Sequence, residues 1–185
     1  MKLPALETAR LILLPAHPRL AKKTAAFYEK NKTFLQPFEP TYDPKFTTRG
    51  YQRALLKADA KAARDNCGLR YWCFRKEAPD TAIGCVALTS ITWGAFRSAT
   101  VAYKTDGDLL RQGYASEALN AVVALAFEGL NLHRLEASIM PRNAASLALA
   151  RKCGFSEEGR SPRYIRINGL WEDHIHMVRL NEEGE

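Results

Sequence analysis

The sequence predicts a mixed α/β fold in which a central mixed sheet is flanked by helices. The first reason is the order of the segments that the residue patterns indicate, β-α-α-β-β-β-α-β-α-β-β. The second is Asn168-Gly169 between two apolar strands, which is the strongest short signal for a hairpin. The third is a length of 185 residues with 46% hydrophobic content, which suits one domain with a sizeable core. We therefore expect residues 1–185 to form a single domain.

The first part of the chain predicts a short strand and two helices joined by a loop. An apolar strand runs from Leu11 to Leu14 and is ended by Pro15. Apolar residues recur with helical spacing over 19–30 and again over 48–63. The segment between these helices is expected to be irregular, because each proline removes a backbone donor and restricts the residue before it. The prolines are Pro37, Pro40 and Pro44.

The remainder of the chain alternates strands with two further helices. One helix is predicted from Ser116 to Leu130, and a shorter one ends at Gly154, the expected residue at a helix stop. A turn is predicted at Ala78-Pro79-Asp80. The predicted strands are 70–75, 81–91, 97–104 and 134–140, followed by the hairpin strands 164–167 and 170–178.

Charge and hydropathy limit the expected partners. Lys and Arg number 27 against 20 Asp and Glu, so the formal charge is +7. This favours either a solubilising surface or attraction to an anionic ligand or a particle rich in nucleic acid. The basic residues are scattered, so direct recognition of nucleic acid is not expected. Because no 18-residue apolar run and no secretory pattern occur, we expect no membrane span and a cytoplasmic protein with reduced thiols.

The four cysteines do not indicate a metal site, since none of their spacings is typical of metal ligands. Cys73 and Cys85 are expected to lie in strands as small apolar residues. Cys67 and Cys153 complete the set.

The most informative segment is the turn around Gly113, where a strand-like stretch becomes a helix. Gly113 and Ala115 leave the turn nearly free of side chains. The first N–H groups of the helix have no internal partner and carry a positive partial charge. Such a terminus is suited to an anion, most often phosphate. The alternative is an ordinary helix start that is capped by Ser116.

A second segment favours the first interpretation. Met140–Ser146 reads Met-Pro-Arg-Asn-Ala-Ala-Ser, a strand end and polar turn before a short helix. The two segments together resemble the GNAT acetyltransferase superfamily. The resemblance implies an α+β fold whose sheet is mostly antiparallel with splayed middle strands. It also implies that the first turn binds the pyrophosphate of acetyl-CoA, and that Asn143 lies beside pantetheine. Asn143 can equally cap the helix that follows it, and both roles can hold together.

Further segments resemble the ribosomal-protein-alanine N-acetyltransferase branch of this superfamily. The opening strand Glu7–Leu13, the segment Phe34–Pro40 and the segment His133–Ala137 are similar to that branch, as is Ile167–His174. Together the matches extend from about residue 7 to residue 178. One departure is Leu110, where the superfamily often has Gln or Arg, although an aromatic or apolar residue is common there in this branch.

The resemblance assigns a cofactor site and no metal. Pantetheine would bind exposed backbone between two strands, one ending at Tyr103-Lys104-Thr105 and the other at Met140. Arg111 and Gln112 would meet the pyrophosphate together with the backbone of the residues that follow. These residues are Gly113, Tyr114, Ala115 and Ser116.

The resemblance also makes Ser146 the candidate acid for the leaving thiolate, either directly or by holding the CoA sulfur. Ser146 is otherwise a solvated helix serine. Where some relatives carry a base, this chain has Ser138. We expect Glu39 or Glu136 to act as the base through water, although each is equally a surface carboxylate. Other candidates are Asp173 for orienting the substrate, and His133, His174 and His176.

Three functions remain open from the sequence. The resemblance implies acetyl transfer to the N-terminal α-amine of a protein, most directly a ribosomal one. The loop over 34–44 would then form one wall of the acceptor site. The alternatives are acetylation of a small amine and CoA binding by a sensor without turnover. The oligomeric state stays open between monomer and homodimer.

Overall fold

The computed structural model describes residues 3–182 as one eight-stranded sheet with helices on both faces. Strand neighbours follow the order β1-β2-β3-β4-β5-β6-β8-β7. The pair β5–β6 is parallel, and the other six pairs are antiparallel. The predicted mixed sheet flanked by helices is therefore confirmed.

The elements are named in chain order. The strands are β1 Leu6–Glu7, β2 Leu11–Pro15, β3 Leu69–Arg75, β4 Ala78–Thr92, β5 Ser98–Thr105, β6 Arg134–Ile139, β7 Ser156–Ile167 and β8 Leu170–Leu180. The α-helices are α1 Ala21–Leu35, α2 Arg49–Arg64, α3 Tyr114–Ala124 and α4 Ala144–Lys152. A π-helical turn, Leu125–Gly129, extends α3. In the described part of the chain, no helix has both the length and the apolarity needed to cross a membrane.

Two hydrophobic clusters fill the two sides of the sheet. The larger packs α3 and α4 against the strands and includes Leu119, Leu135 and Met177, all fully buried. The smaller packs α1 and α2 and contains Phe27 and Trp72. Because side chains of a strand alternate between faces, β3 and β4 contribute buried residues to both clusters.

The middle of the sheet opens between β5 and β6. These parallel strands pair only through Ser98, Ala99 and Thr100 on β5 and residues 134–136 on β6. Beyond Thr100, β5 continues for five residues, and beyond Glu136, β6 continues for three. The predicted splayed middle strands are thus confirmed, and the facing backbone edges of the two strands lie apart.

One glycine permits close packing beside this opening. Gly84 on β4 lies opposite Thr105 of β5. A Cβ at Gly84 would collide with the backbone carbonyl of Lys104. The end of β5 therefore approaches β4 closely because position 84 has no side chain.

Several local predictions need correction. The expected turn at Ala78-Pro79-Asp80 is wrong, since β4 begins at Ala78 and the turn lies at Lys76-Glu77. The register shifts between Phe74 and Arg75, so Pro79 falls in an irregular stretch where a missing donor is tolerated. Strand β7 begins at Ser156, eight residues before the prediction. No residue pattern in the sequence distinguished the short strand β1 from the strand that follows it.

A half-buried carboxylate joins the N-terminal strands to α3. Glu117, in the first turn of α3, accepts hydrogen bonds from the Thr8 hydroxyl at 2.6 Å and the Arg10 backbone N–H at 2.8 Å. It also forms an ion pair with the Arg10 guanidinium at 2.7 Å. Burial raises the pKa of Glu117, but the hydrogen bonds from Thr8 and Arg10 together lower it by more. The pKa of Glu117 therefore lies below its usual range.

We expect Glu117→Gln to lower the free energy of unfolding at pH 7 by about 2 kcal/mol, because an amide cannot accept all of these bonds. A depressed pKa stabilises the fold above the unfolded pKa of about 4.3, and that stability is lost as the pH falls through the folded value. The difference in melting temperature should therefore close as the medium is acidified. The exposed Glu128→Gln on the same helical segment is the control; an equal effect of both variants at pH 7 would contradict the prediction.

Candidate active site

The turn before α3 presents backbone donors to solvent. Gly113 is the N-cap residue with φ of 84°, and no side chain caps the helix. Ser116 is not the cap, since its hydroxyl donates instead to the Gly113 carbonyl at 2.9 Å. Helix α3 begins at Tyr114, two residues before the predicted start. Its first N–H groups, from Tyr114 to Ser116, therefore point outward with a positive partial charge.

Arg10, in the bend between β1 and β2, holds this turn. Its guanidinium donates to the Gln112 carbonyl at 2.9 Å and lies 4.4 Å from the Tyr114 ring centroid. The Glu117 carboxylate neutralises it. Arg111 and Gln112 are exposed at the rim of the turn. The structure thus brings together the residues that were predicted to meet the pyrophosphate, and Arg10 supports their turn from behind.

The end of β5 meets the start of α3 around a recess of ≈ 10 Å³, about the space that one water occupies. Five of its ten lining residues were predicted to bind the cofactor. They are Tyr103, Lys104, Thr105, Tyr114 and Ala115.

Ser146 lies across the opening from β5 and contacts Tyr103. The Ser146 hydroxyl donates to the Tyr103 hydroxyl at 2.9 Å, and the Tyr103 hydroxyl donates to the Ser146 carbonyl at 3.0 Å. Burial raises the pKa of Tyr103 to about 12, so this phenol stays protonated at neutral pH. Asn143 caps α4 as predicted, because its side-chain oxygen accepts from the Ser146 N–H at 3.2 Å.

Glu39 is held on the opposite face of the sheet. Its carboxylate forms an ion pair with Lys104 at 2.6 Å, and the Tyr42 hydroxyl donates to the same oxygen. The Lys104 ammonium also donates to the Tyr42 hydroxyl at 2.9 Å. Burial, together with the charge of Glu39, raises the pKa of Tyr42 above its usual range. Glu39 therefore has partners already, and both members of the pair are mostly shielded from solvent.

The segment before Glu39 is fixed across the sheet. Arg142 donates to the Pro37 carbonyl at 2.7 Å and to the Glu172 carboxylate at 2.9 Å. At the tip of the β7–β8 hairpin, Asn168 donates to the Gln36 carbonyl at 2.7 Å. A short 3₁₀ turn over Gln36–Phe38 follows α1, so part of the expected irregular loop is regular.

Glu136 lies apart from Glu39, at the last pair before β5 and β6 diverge. Its carboxylate contacts Arg134 at 2.5 Å, and Arg134 also binds Glu158. Asp173 is paired with Arg160 at 2.7 Å. His133 precedes β6 at the end away from the opening. His174 and His176 lie on β8, and Ser138 of β6 contacts His176.

Some contacts of the site have no local signal in the sequence. Arg10 and Arg142 were not predicted to act there, although both lie inside segments that carry the resemblance. Tyr103 was expected to contribute backbone, but its hydroxyl contacts the candidate acid. Among residues 3–182, no group of three or more His, Cys, Asp or Glu side chains could hold a metal ion. Cys73 and Cys85 are buried in strands, as predicted.

Comparison with known proteins assigns a family to this arrangement. Residues 10–156 match the family described as acetyltransferase (GNAT) domain. The Bacillus subtilis (strain 168) protein named "Probable N-acetyltransferase YjcK" is 32% identical over 166 residues, which cover 89% of this chain and 91% of that protein.

Two solved structures share the fold. Ribosomal-protein-S5-alanine acetyltransferase from Vibrio fischeri superposes with a TM-score of 0.93 at 27% identity, covering 98% of this chain and 99% of that one. RimJ from Mycobacterium smegmatis, in complex with CoA-disulfide, superposes with a TM-score of 0.88 at 27% identity, covering 94% and 83%. The chain is therefore an acetyltransferase of the GNAT family, similar in sequence and fold to the ribosomal-protein-alanine branch, as the sequence predicted.

Proposed function

We propose that this protein transfers acetyl from acetyl-CoA to the N-terminal α-amine of a protein, most directly a ribosomal protein. The observation that carries the proposal is the opening between β5 and β6, which has Ser146 and Tyr103 on one side and Lys104 with Glu39 on the other. The likeness to a ribosomal-protein-alanine acetyltransferase over nearly the whole chain supports the acceptor class.

The cofactor is assigned to the side of α3 and α4. Pyrophosphate would meet the N–H groups of residues 113–116, with Arg111 and Gln112 at the rim. Pantetheine would bind the unpaired edges of Tyr103–Thr105 and the end of β6, because backbone donors and acceptors there need partners. Asn143 would lie beside the same arm. The CoA in the RimJ complex supports the choice of cofactor.

The acceptor is assigned to the opposite face, under the segment from Phe34 to Pro44. This wall carries no unpaired carboxylate at Glu39, because Lys104 neutralises it. Arg142 lies at the same rim. A polycationic small amine would meet these cations, whereas an extended chain end carries a single ammonium. The wall therefore favours a protein terminus over a polyamine.

We expect Gly113→Glu to weaken CoA binding steeply, since the added carboxylate would face the pyrophosphate. Calorimetric titration of CoA measures this loss. Residue 113 has a positive φ, so the replacement also strains the turn. Gly94→Glu is the matched control, because Gly94 has φ of 70° and open space around it. CoA affinity that is equal in a folded Gly113→Glu protein and in the control would exclude this turn as the pyrophosphate site.

Ser146→Ala should lower kcat by about 10²-fold while the Kd for acetyl-CoA stays nearly unchanged, because the proton donated to the thiolate is needed only in the transition state. Tyr103→Phe removes the contacting phenol but leaves the Ser146 hydroxyl, and it should retain more of kcat. Steady-state kinetics of thiol release, with melting temperatures as the check on folding, tests both. If Ser146→Ala keeps the full kcat, Ser146 is an ordinary serine of α4 and is excluded as the acid.

The acceptor class is tested with a peptide that has a free N-terminus, the same peptide blocked at that end but containing lysine, and spermidine. We expect the free peptide to react fastest, since an α-amine with pKa near 8 requires less of a weak base than a lysine near 10.4. Glu39→Gln should lower kcat/KM on the free peptide, because the substitution leaves the Lys104 ammonium unpaired at this wall, where it would repel the ammonium of the peptide. Equal rates on the blocked peptide would exclude α-amine selectivity, and unchanged kcat/KM in Glu39→Gln would remove Glu39 from the acceptor site.

A further inference from the structure

Three side chains form a hydrogen-bonded row across β6, β8 and β7. The Ser138 hydroxyl lies 3.3 Å from Nδ1 of His176, and the Ser161 hydroxyl lies 2.8 Å from Nε2 of the same ring. All three residues are half-buried. The Tyr164 ring packs edge-on against the imidazole, with 5.0 Å between ring centroids. Each ring nitrogen of His176 therefore faces a hydroxyl from a neighbouring strand.

The row begins at the opening between β5 and β6. Ser138 lies two residues beyond Glu136, where the pairing with β5 has ended, and its other edge still pairs with His176. Its neighbours Ala137 and Ile139 are buried against the α3–α4 side. Alternation along the strand places Ser138 on the other face, which is the face of Lys104 and Glu39. This is the face assigned above to the acceptor.

We propose that Ser138 and His176 form the proton relay that deprotonates the attacking amine; this rests on the acetyl transfer proposed above. The relay uses the tautomer of His176 that carries its proton on Nε2, which the Ser161 oxygen can accept. With the proton on Nε2 donated to the Ser161 oxygen, Nδ1 is free to accept the proton of the Ser138 hydroxyl. A serine alone is a poor base, and a histidine one strand away supplies the missing basicity.

The relay balances the transfer. The amine nitrogen forms a bond to the thioester carbonyl carbon, and the carbon–sulfur bond breaks as its electron pair leaves with the CoA thiolate. The amine arrives as an ammonium and first gives one proton to the Ser138 oxygen while the Ser138 proton passes to Nδ1 of His176; after the attack, the nitrogen releases its second proton to solvent. The thiolate takes a proton from Ser146. Solvent then removes the proton from His176 and returns one to Ser146, so no oxidant or reductant is required.

The charged groups around His176 are already paired with one another. Arg134 binds both Glu136 on β6 and Glu158 on β7. The hydrogen bond from Arg134 holds the pKa of Glu158 below its usual range. The neighbouring His174 is almost fully buried and contacts the Glu172 carbonyl at 3.1 Å. The ring of Tyr164 also packs against His176. On this face, His176 is the imidazole that reaches the opening, through its contact with the Ser138 hydroxyl.

The test compares His176→Gln, Ser138→Ala and Ser161→Ala with wild type on the best acceptor of the amine panel. Glutamine keeps hydrogen-bonding groups in place of both ring nitrogens but cannot take up a proton. We expect kcat at pH 7 to fall by about 10²-fold in His176→Gln and Ser138→Ala, and by less in Ser161→Ala, with KM unchanged. The deficit should shrink toward pH 9, because an α-amine with pKa near 8 then arrives neutral.

Chemical rescue separates a base from a structural histidine. Added imidazole should restore part of kcat in His176→Ala and none in Ser138→Ala. The exposed His17→Gln is the matched control and should behave as wild type. Full kcat in His176→Gln, or a deficit that imidazole leaves unchanged in His176→Ala, overturns the relay. So does a pH-dependent deficit of the same size in Glu136→Gln with none in Ser138→Ala. A wrong acceptor class would appear separately, as a different best amine for wild type.

Discussion

The divergence of β5 from β6 is the constraint on which the rest of the site depends. Two parallel strands that pair over three residues and then separate leave backbone donors and acceptors along both edges. Such groups cost free energy unless they find partners, so the opening is suited to a ligand that runs in the place of a strand. The opening also connects the two faces of the sheet. Side chains from the α3–α4 side and from the α1–α2 side can therefore act on one bond.

The ion pairs near this opening hold the residues of the site in place, and they add little to the stability of the protein. Arg10 with Glu117 fixes the turn before α3, Lys104 with Glu39 fixes one wall, and Arg142 links the hairpin to the segment before Glu39. Half-buried pairs of this kind contribute little net stability, because desolvation opposes their attraction. Removing one partner is costly, however, since it leaves a charge without compensation. The pairs thus make the geometry of the site sensitive to single substitutions.

The sequence predicted local structure well and long-range contacts poorly. The Asn168-Gly169 hairpin, the Asn143 cap and the glycine turn are properties of a few adjacent residues, and all were recognised. The turn at Ala78-Pro79-Asp80 was placed wrongly because a shift in register lets proline lie inside a strand. Glu39 and Lys104 are 65 positions apart in the numbering, and no local pattern indicates that they pair. Sequence therefore located the candidate site, whereas the fold defines which of its carboxylates have partners.

The weakness of the available bases is itself informative about the acceptor. Lysine is protonated more strongly than an α-amine by about 2.4 pKa units, so at neutral pH the neutral fraction of lysine is smaller by about 250-fold. A site whose nearest carboxylates are bound by Lys104 and Arg134 has no unpaired anion to offset that difference. Beyond these pairs, the proposed acceptor face offers the hydroxyls and imidazole of Ser138, His176 and Ser161, which suit an amine that is already partly neutral. The same pairing that orders the walls thus favours amines of low basicity, which supports the proposed protein N-terminus over lysine as the acceptor.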